Sequence, residues 1–348
     1  MPATLKDVLG IDEPIVLGPF GGASSVELTA LVSENGGLGS YGLYGYPAER
    51  IAETVTLLRG ATTRPFAVNL WLPMGEEVAP DDFDLRPFLD ALAPLYDELG
   101  LRTPTPPATF LPAFDAQLDA VLDAAPAVVS FVYGVPAPDV IERAHRRGIR
   151  VLATATTVAE ARALDAAGVD AIVASGMEAA GHRVSFLAPA EQSLVGVIAL
   201  VPQVVDAVRV PVIAAGGIAD RRGVAAAFAL GASGVQVGTA FLRTRQSAVP
   251  ESHRRAIADA SDTGTVLTRA MGGRLARGIP NRAMREIETT GLVAPFPAQN
   301  WLTGVFRSAA AAQDRGDLLS LWAGQSSALA TREDAAHVFA ELRRGVPR

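Results

Sequence analysis

Along the first 245 residues, short apolar runs alternate with amphipathic stretches. Eight of the runs read as strands: Pro14–Gly18, Gly37–Gly42, Phe66–Trp71, Val128–Gly134, Arg150–Ala155, Asp170–Ser175, Pro211–Gly217 and Gly234–Phe241. Helical patterns lie between them, with their own punctuation. Ser24 or Ser25 caps a helix through about Glu34, which Asn35-Gly36-Gly37 closes; Pro47 starts the next and Gly60 stops it. Further helices are expected at Ala137–Arg147, at Val158–Ala167 between Thr156-Thr157 and Gly168, at Val195–Val208, and from Asp220 to Leu230. Eight strand-helix units predict an α/β fold of the closed TIM (β/α)8 barrel type. An open doubly wound sheet shares the alternation, but no strand-Gly-x-Gly-x-x-Gly-helix with a following acidic residue occurs.

Two regions break the rhythm. Leu72–Pro112 is rich in proline and carries the acidic run Asp81-Asp82-Phe83-Asp84, so an excursion with one helix, around Arg86–Leu99, is expected after the third strand. Its length is that of a lid or binding loop, and the acidic run reads as a solvated face. Residues 246–348 leave the barrel and are expected to form a mostly helical C-terminal extension packed on barrel residues 1–245. In it Ser261–Arg282 is polar with glycines and arginines, and Leu318–Ala330 reads as the start of a helical tail.

Composition narrows the chemistry. With 348 residues, 49% of them hydrophobic and 19% charged, the chain can bury a large core, and its net charge of −7 argues against binding nucleic-acid backbones. No apolar run approaches the roughly 20 residues of a membrane helix. The opening MPATLKDVLGIDEP lacks a basic segment followed by an apolar one, so a cytoplasmic protein is expected. Without cysteine there is no thiolate ligand or nucleophile, and the only lysine, Lys6, precedes the first strand, which removes Schiff-base chemistry. His145, His182, His253 and His337 are too scattered for a zinc helix, and no Gly-x-Ser-x-Gly turn appears, so neither a metal site nor a serine triad is expected.

What remains centres on Asp170–Arg183, DAIVASGMEAAGHR, in which the sixth strand delivers His182 behind residues too small to cover it. An imidazole so placed over a barrel mouth is a candidate general acid or base. The seventh and eighth strands end in Ala214-Ala215-Gly216-Gly217 and Gly238-Thr239, where backbone N–H groups can approach a phosphate. Asn69, Thr154, Thr156 and Ser175 offer polar groups at the same rim, and Phe20 an aromatic ring. A planar phosphorylated cofactor beside one histidine suggests FMN, with His182 as acid or base.

These residues carry a resemblance. PIVLGPFGG, ENGGLG, FAVNLW, ASGMEAAGHR, PVIAAGGIADRRG, GASGVQVGTAFL, ARGIPNR and LWAGQ together resemble the nitronate monooxygenases, FMN-containing TIM barrels formerly called 2-nitropropane dioxygenases. The resemblance places the catalytic histidine on His182. It places flavin contacts on Pro19, Phe20, Asn69, Thr154, Ser175 and Gly181, phosphate contacts on Gly216, Gly217, Gly238 and Thr239, and a C-terminal contact on Gln325. The chain departs from the family pattern at Phe20, where methionine is usual, at Ser175, where glutamine is, and at Ala180 and Val184, which replace glycines; Gln246 stands where an acidic residue often follows the eighth strand.

The resemblance implies oxidation of an anionic alkyl nitronate by O2, giving a carbonyl compound and nitrite without nicotinamide. Two rivals share the same strands and histidine. One is an FMN-dependent enoyl-thioester or quinone reductase fed by NADH or NADPH, and the other an idle flavin-binding barrel that serves as an assembly partner.

Overall fold

The computed structural model of the chain describes residues 4–347. Strands β1 (Ile15–Leu17), β2 (Gly39–Gly42), β3 (Phe66–Trp71), β4 (Val128–Val132), β5 (Arg150–Ala155) and β6 (Ala171–Ser175) are followed by a two-residue strand, β7 (Gly181–His182), and then by β8 (Val212–Ala215) and β9 (Gly234–Val237). All but β7 pair in one eight-stranded parallel sheet, in the order β1-β9-β8-β6-β5-β4-β3-β2. A parallel bridge between Val16 and Leu38 joins its two edges, so the sheet closes into the expected barrel. β7 belongs to a separate antiparallel sheet with β10 (Val266–Thr268) and β11 (Ala276–Gly278).

The period of two along each strand sorts the barrel interior into layers. Val16, Leu38, Ala67, Val128, Leu152, Val173 and Ile213 share one buried cluster, which Leu5 and Leu9 of the short helix Leu5–Leu9 close from below. Two residues further along β3, β4, β5 and β6 stand Asn69, Ser130, Thr154 and Ser175, on the same inward face. The interior is therefore apolar at the bottom and polar at the carboxyl-end rim. That gradient follows from where four polar residues sit in otherwise apolar strands.

Local chemistry sets most of the helix ends as expected. Ser25 accepts from the N–H of Leu28, Thr157 from Glu160 and Asp220 from Arg222, while Gly168 closes its helix in the left-handed region. Several boundaries differ. Gly60 lies inside the helix Ala48–Ala61, which ends at Thr62. The fourth strand stops at Val132 because Tyr133 takes φ +70°. The eighth predicted run ends as a strand at Val237, and Thr239–Leu242 forms a helical turn.

Leu318–Ala330 is not the start of a helix. It holds two short 3-10 turns, Gly316–Leu318 and Ser327–Leu329, around a stretch whose backbone is used elsewhere: Gly324 N–H donates to the Thr239 hydroxyl and Gln325 N–H to the Glu178 carbonyl. The final helix, Ala335–Arg343, begins only after the Asp334 cap. The polar Ser261–Arg282 region supplies β10 and β11, and a long helix spans Ala298–Ala312. The excursion carries the expected helix, Arg86–Glu98, whose Leu89, Leu92, Leu95 and Tyr96 share a second core with Met271, Met284, Leu302 and Phe306 from the C-terminal segment. The barrel helix after β3 is Phe114–Ala124, beyond the excursion.

Candidate active site

Among strands that are otherwise buried, Pro19, Phe20, Ser175, Gly181, His182, Gly216, Gly217, Gln236 and Gly238 are half-buried and meet at the carboxyl-end rim. Tight packing of small residues shapes this mouth. A β-carbon on Gly18 would lie 3.1 Å from the Gly238 Cα and 3.5 Å from the Phe20 ring, so the chain just past β1 approaches the chain just past β9 because Gly18 carries no side chain. Ser24 fixes the Phe20 turn, accepting from the Phe20 N–H at 3.2 Å and donating to the Phe20 carbonyl at 2.9 Å.

Gly216 and Gly217 take φ +105° and +70°, conformations that L side chains rarely adopt. A β-carbon on Gly216 would stand 3.2 Å from both the Ala179 N and the Gly176 O, so bulk there would fill the cradle as well as strain it. Opposite, Thr239 is buried, and its hydroxyl accepts from the Gly324 N–H at 3.0 Å. Gln325 itself is exposed; it is the backbone of its loop that reaches the rim. The amino terminus of the helix Val197–Ala207 is occupied by a carboxylate, since the Val197 N–H donates to both Glu178 oxygens at 2.9 and 3.0 Å. That helix terminus is therefore already neutralised by a side chain of the protein.

The rim polar groups divide. The Asn69 amide donates to the Ser130 hydroxyl at 2.9 Å and to its carbonyl at 3.1 Å, which orients the side chain and leaves Oδ1 as a free acceptor among the described residues. The Thr154 and Ser175 hydroxyls make no hydrogen bond among the described residues. Thr156 is instead consumed locally, its N–H and hydroxyl both donating to Glu160 at 2.6 Å.

His182 is held from both sides. Gly181, at φ +72°, turns the chain, and β7 pairs with β11 so that His182 lies opposite Ala276. Arg183 is buried, and its guanidinium donates to the carbonyls of Ser175, Thr156 and Ser193, binding the turn to the ends of β5 and β6. The imidazole sits 5.0 Å from the Trp71 ring and 5.6 Å from that of Trp322. Its Nε2 is sealed from solvent without a partner among the described residues, against Gly272, where a β-carbon would lie 2.8 Å away. Burial, then the charges of Arg274 and Arg307, push its pKa down to about 3. It is a neutral imidazole at physiological pH, a weak base able to donate or accept a hydrogen bond.

Around it stands an aromatic box that the sequence reading did not foresee. Tyr44, Tyr133 and Phe296 surround Trp71 at ring separations of 4.3, 5.0 and 6.0 Å. The Arg274 guanidinium lies 4.0 Å over Phe296 and 4.5 Å over Tyr133, and Glu77 from the excursion accepts from it at 2.7 Å. The Tyr133 hydroxyl is also sealed and unpartnered among the described residues, and burial holds it protonated. The glycine- and arginine-rich stretch MGGRLARG gave a signal of composition; nothing in it showed which arginine returns to the histidine.

The residues at this mouth fit a planar phosphorylated group: two half-buried glycine turns, an amide oxygen and hydroxyls at the inner rim, and a half-buried imidazole whose Nε2 has no partner among the described residues. The family model described as nitronate monooxygenase matches residues 3–342. A probable nitronate monooxygenase of Staphylococcus aureus (strain Newman) is 39% identical over 97% of this chain and 95% of its own length. The solved structure of nitroalkane oxidase from Streptomyces ansochromogenes superposes with a TM-score of 0.86 at 37% identity, covering 98% of this chain and 96% of that one. FabK from Thermotoga maritima superposes with a TM-score of 0.76 at 30% identity, covering 98% and 95%.

Proposed function

Since the chain belongs to the nitronate monooxygenase family and is an oxidoreductase, we propose that it binds FMN at the barrel mouth and oxidises alkyl nitronates with O2 to a carbonyl compound and nitrite. Backbone N–H groups of Gly216-Gly217 and Gly238-Thr239 would hold the phosphate. Asn69, Thr154 and Ser175 would meet the polar edge of the ring system, with Pro19, Phe20 and Gly181 beside it and the Gln325 loop behind the phosphate. FMN bound there would supply a two-electron carrier between the nitronate and oxygen.

The observation that carries this reading is the neutral imidazole of His182, half-buried at the rim and under the influence of the Arg274 charge. A neutral imidazole donates a hydrogen bond to the nitro group of a nitronate; with its basicity lowered, it takes the α-proton of a neutral nitroalkane only as the anion formed is held by the neighbouring charge. The guanidinium stabilises the anion that is bound or formed. Glu77 keeps that guanidinium between its two rings, and the aromatic walls exclude water, which strengthens each charge interaction.

The test is the absorption spectrum of the purified protein, followed without oxygen. A flavin spectrum that bleaches on adding an alkyl nitronate supports the reading. Bleaching by NADPH but not by nitronate would move the assignment to an enoyl-thioester or quinone reductase, and a flavin that neither donor reduces would leave an idle binding barrel. In His182→Asn, flavin should be retained while turnover of neutral nitroalkane falls about 100-fold or more; loss of flavin along with activity would give the histidine a structural role.

A further inference from the structure

On the far side of Tyr44 from the histidine lies a cavity of about 370 Å3, whose walls include Tyr44, Phe110, Trp301, Gly304 and Arg307. We propose that this cavity is a binding site for a small aromatic carboxylate, separate from the space beside His182.

The charge comes first. A guanidinium has five N–H donors. That of Arg307 makes three hydrogen bonds, to the Ser320 hydroxyl and to the backbone carbonyl and Oδ1 of Asn300, and all three acceptors are neutral. Its Nε is sealed and has no acceptor, and no ion pair among the described residues includes it. Burial lowers its pKa to about 10, which leaves it charged at neutral pH. Arg274, by contrast, has Glu77. A half-buried cation that among the described residues is held only by neutral groups lacks a compensating charge, and an anion in the adjoining cavity supplies one.

A second donor faces the same space. The Tyr44 hydroxyl accepts from the Asn300 amide at 3.1 Å and donates to no acceptor among the described residues. Burial raises its pKa to about 12, so its proton stays available for a ligand oxygen. One guanidinium and one phenol suit the two oxygens of a carboxylate. The walls offer an aromatic surface for a flat apolar body to lie against, since the Phe110 and Trp301 rings pack on one another 5.6 Å apart in the same lining as Tyr44.

Gly304 gives independent support. It lies inside the helix Ala298–Ala312, where glycine costs about 1 kcal/mol against alanine. A β-carbon there would meet only the far end of the Arg307 side chain, at the ordinary contact distance of 3.6 Å. Neither the helix nor its packing requires glycine at this position; what the missing side chain keeps is open volume. Tyr44 is the dividing wall, stacked 4.3 Å from Trp71, which itself meets His182.

The inference does not depend on nitronate chemistry, and calorimetric titration of the flavin-loaded enzyme with benzoate tests it. Saturable one-site binding is expected, with neutral benzamide roughly 10-fold or more weaker, the worth of one charged hydrogen bond. Arg307→Met should weaken benzoate by a similar factor. Gly304→Leu, which fills the cavity with a better helix former, should abolish binding without lowering the melting temperature, and His182→Asn should bind benzoate as the wild type does. Absence of saturable binding, undiminished binding in both Arg307→Met and Gly304→Leu, or loss of binding in His182→Asn would overturn the proposal, the last by placing benzoate at the imidazole.

Discussion

Nε2 of His182 faces Gly272 so closely that a β-carbon on that glycine would stand 2.8 Å from it. Gly272 is not in a left-handed conformation, so what the position demands is the absence of a side chain. Gly272→Ala must push the imidazole or its own loop aside. Since misplacing a reacting group by about 1 Å can cost 10²-fold, turnover should fall roughly 10- to 100-fold with flavin content unchanged. Steady-state rates and flavin absorbance measured on the same preparation check this, and unaltered turnover would show that the ring is not held in a functional pose.

The Arg274 charge lowers the basicity of His182, and on the proposed function it also faces the bound anion. Arg274→Met should therefore raise KM for nitronates and move the His182 pKa up from about 3 toward the ordinary histidine value near 6.5. The acid limb of the pH–rate profile should move to higher pH in parallel. Glu77→Gln leaves that charge in place, with Glu76 still 3.5 Å away, but removes the nearer carboxylate that holds the guanidinium between its rings, so it should raise KM with little movement of the limb. A profile unmoved in Arg274→Met would mean that the guanidinium does not face the reacting centre.

Gly216→Ala should weaken FMN binding by roughly 10-fold or more, since the new methyl group enters the cradle and the backbone angle is strained. Gly168→Ala is the matched control: Gly168 is also left-handed, at φ +87°, but a β-carbon there would meet nothing within 4 Å. It should lower stability by about 1 kcal/mol and leave flavin affinity alone. Titration of the stripped proteins with FMN, followed by quenching of flavin fluorescence, separates the two effects.

Two buried histidines tie stability to pH. Burial pushes His182 to about 3 and His253 to about 4, against 6.5 for an unburied imidazole. Above pH 6.5 folded and unfolded chains are alike in these protons and stability is complete. As pH falls below 6.5 the unfolded chain takes up protons that the folded one refuses, so stability declines until about 4 and 3, where the native imidazoles protonate. The urea midpoint should thus drop between about pH 7.5 and 5, and drop less in His182→Asn. Parallel behaviour of variant and wild type would show that the native imidazole titrates normally.

How much of this was legible beforehand can be traced residue by residue. The period-two runs and their caps located all eight barrel strands, because Ser25, Thr157, Gly168 and Asp220 act on the backbone within a few residues of themselves. The inward placement of Asn69, Thr154 and Ser175 follows from strand parity, and so does that of Gln236, two positions after Gly234, although the run GVQVG around it reads as apolar. The supposed helical tail at Leu318–Ala330 failed for the opposite reason: its N–H groups find partners on Glu178 and Thr239, more than 80 residues away, a competition that no local propensity records.

The order of the strands, the polar rim and the two glycine turns were therefore determined by the sequence itself, since each depends on neighbours along one strand or one turn. Only the tertiary structure decided that Trp71, Tyr133, Gly272, Arg274 and Trp322 converge on His182, and that among the described residues Arg307 lacks a carboxylate partner where Arg274 has Glu77 and Glu76. Burial and unpaired charge are properties of what surrounds a side chain. Here the surroundings come from a C-terminal segment that folds back across the barrel mouth.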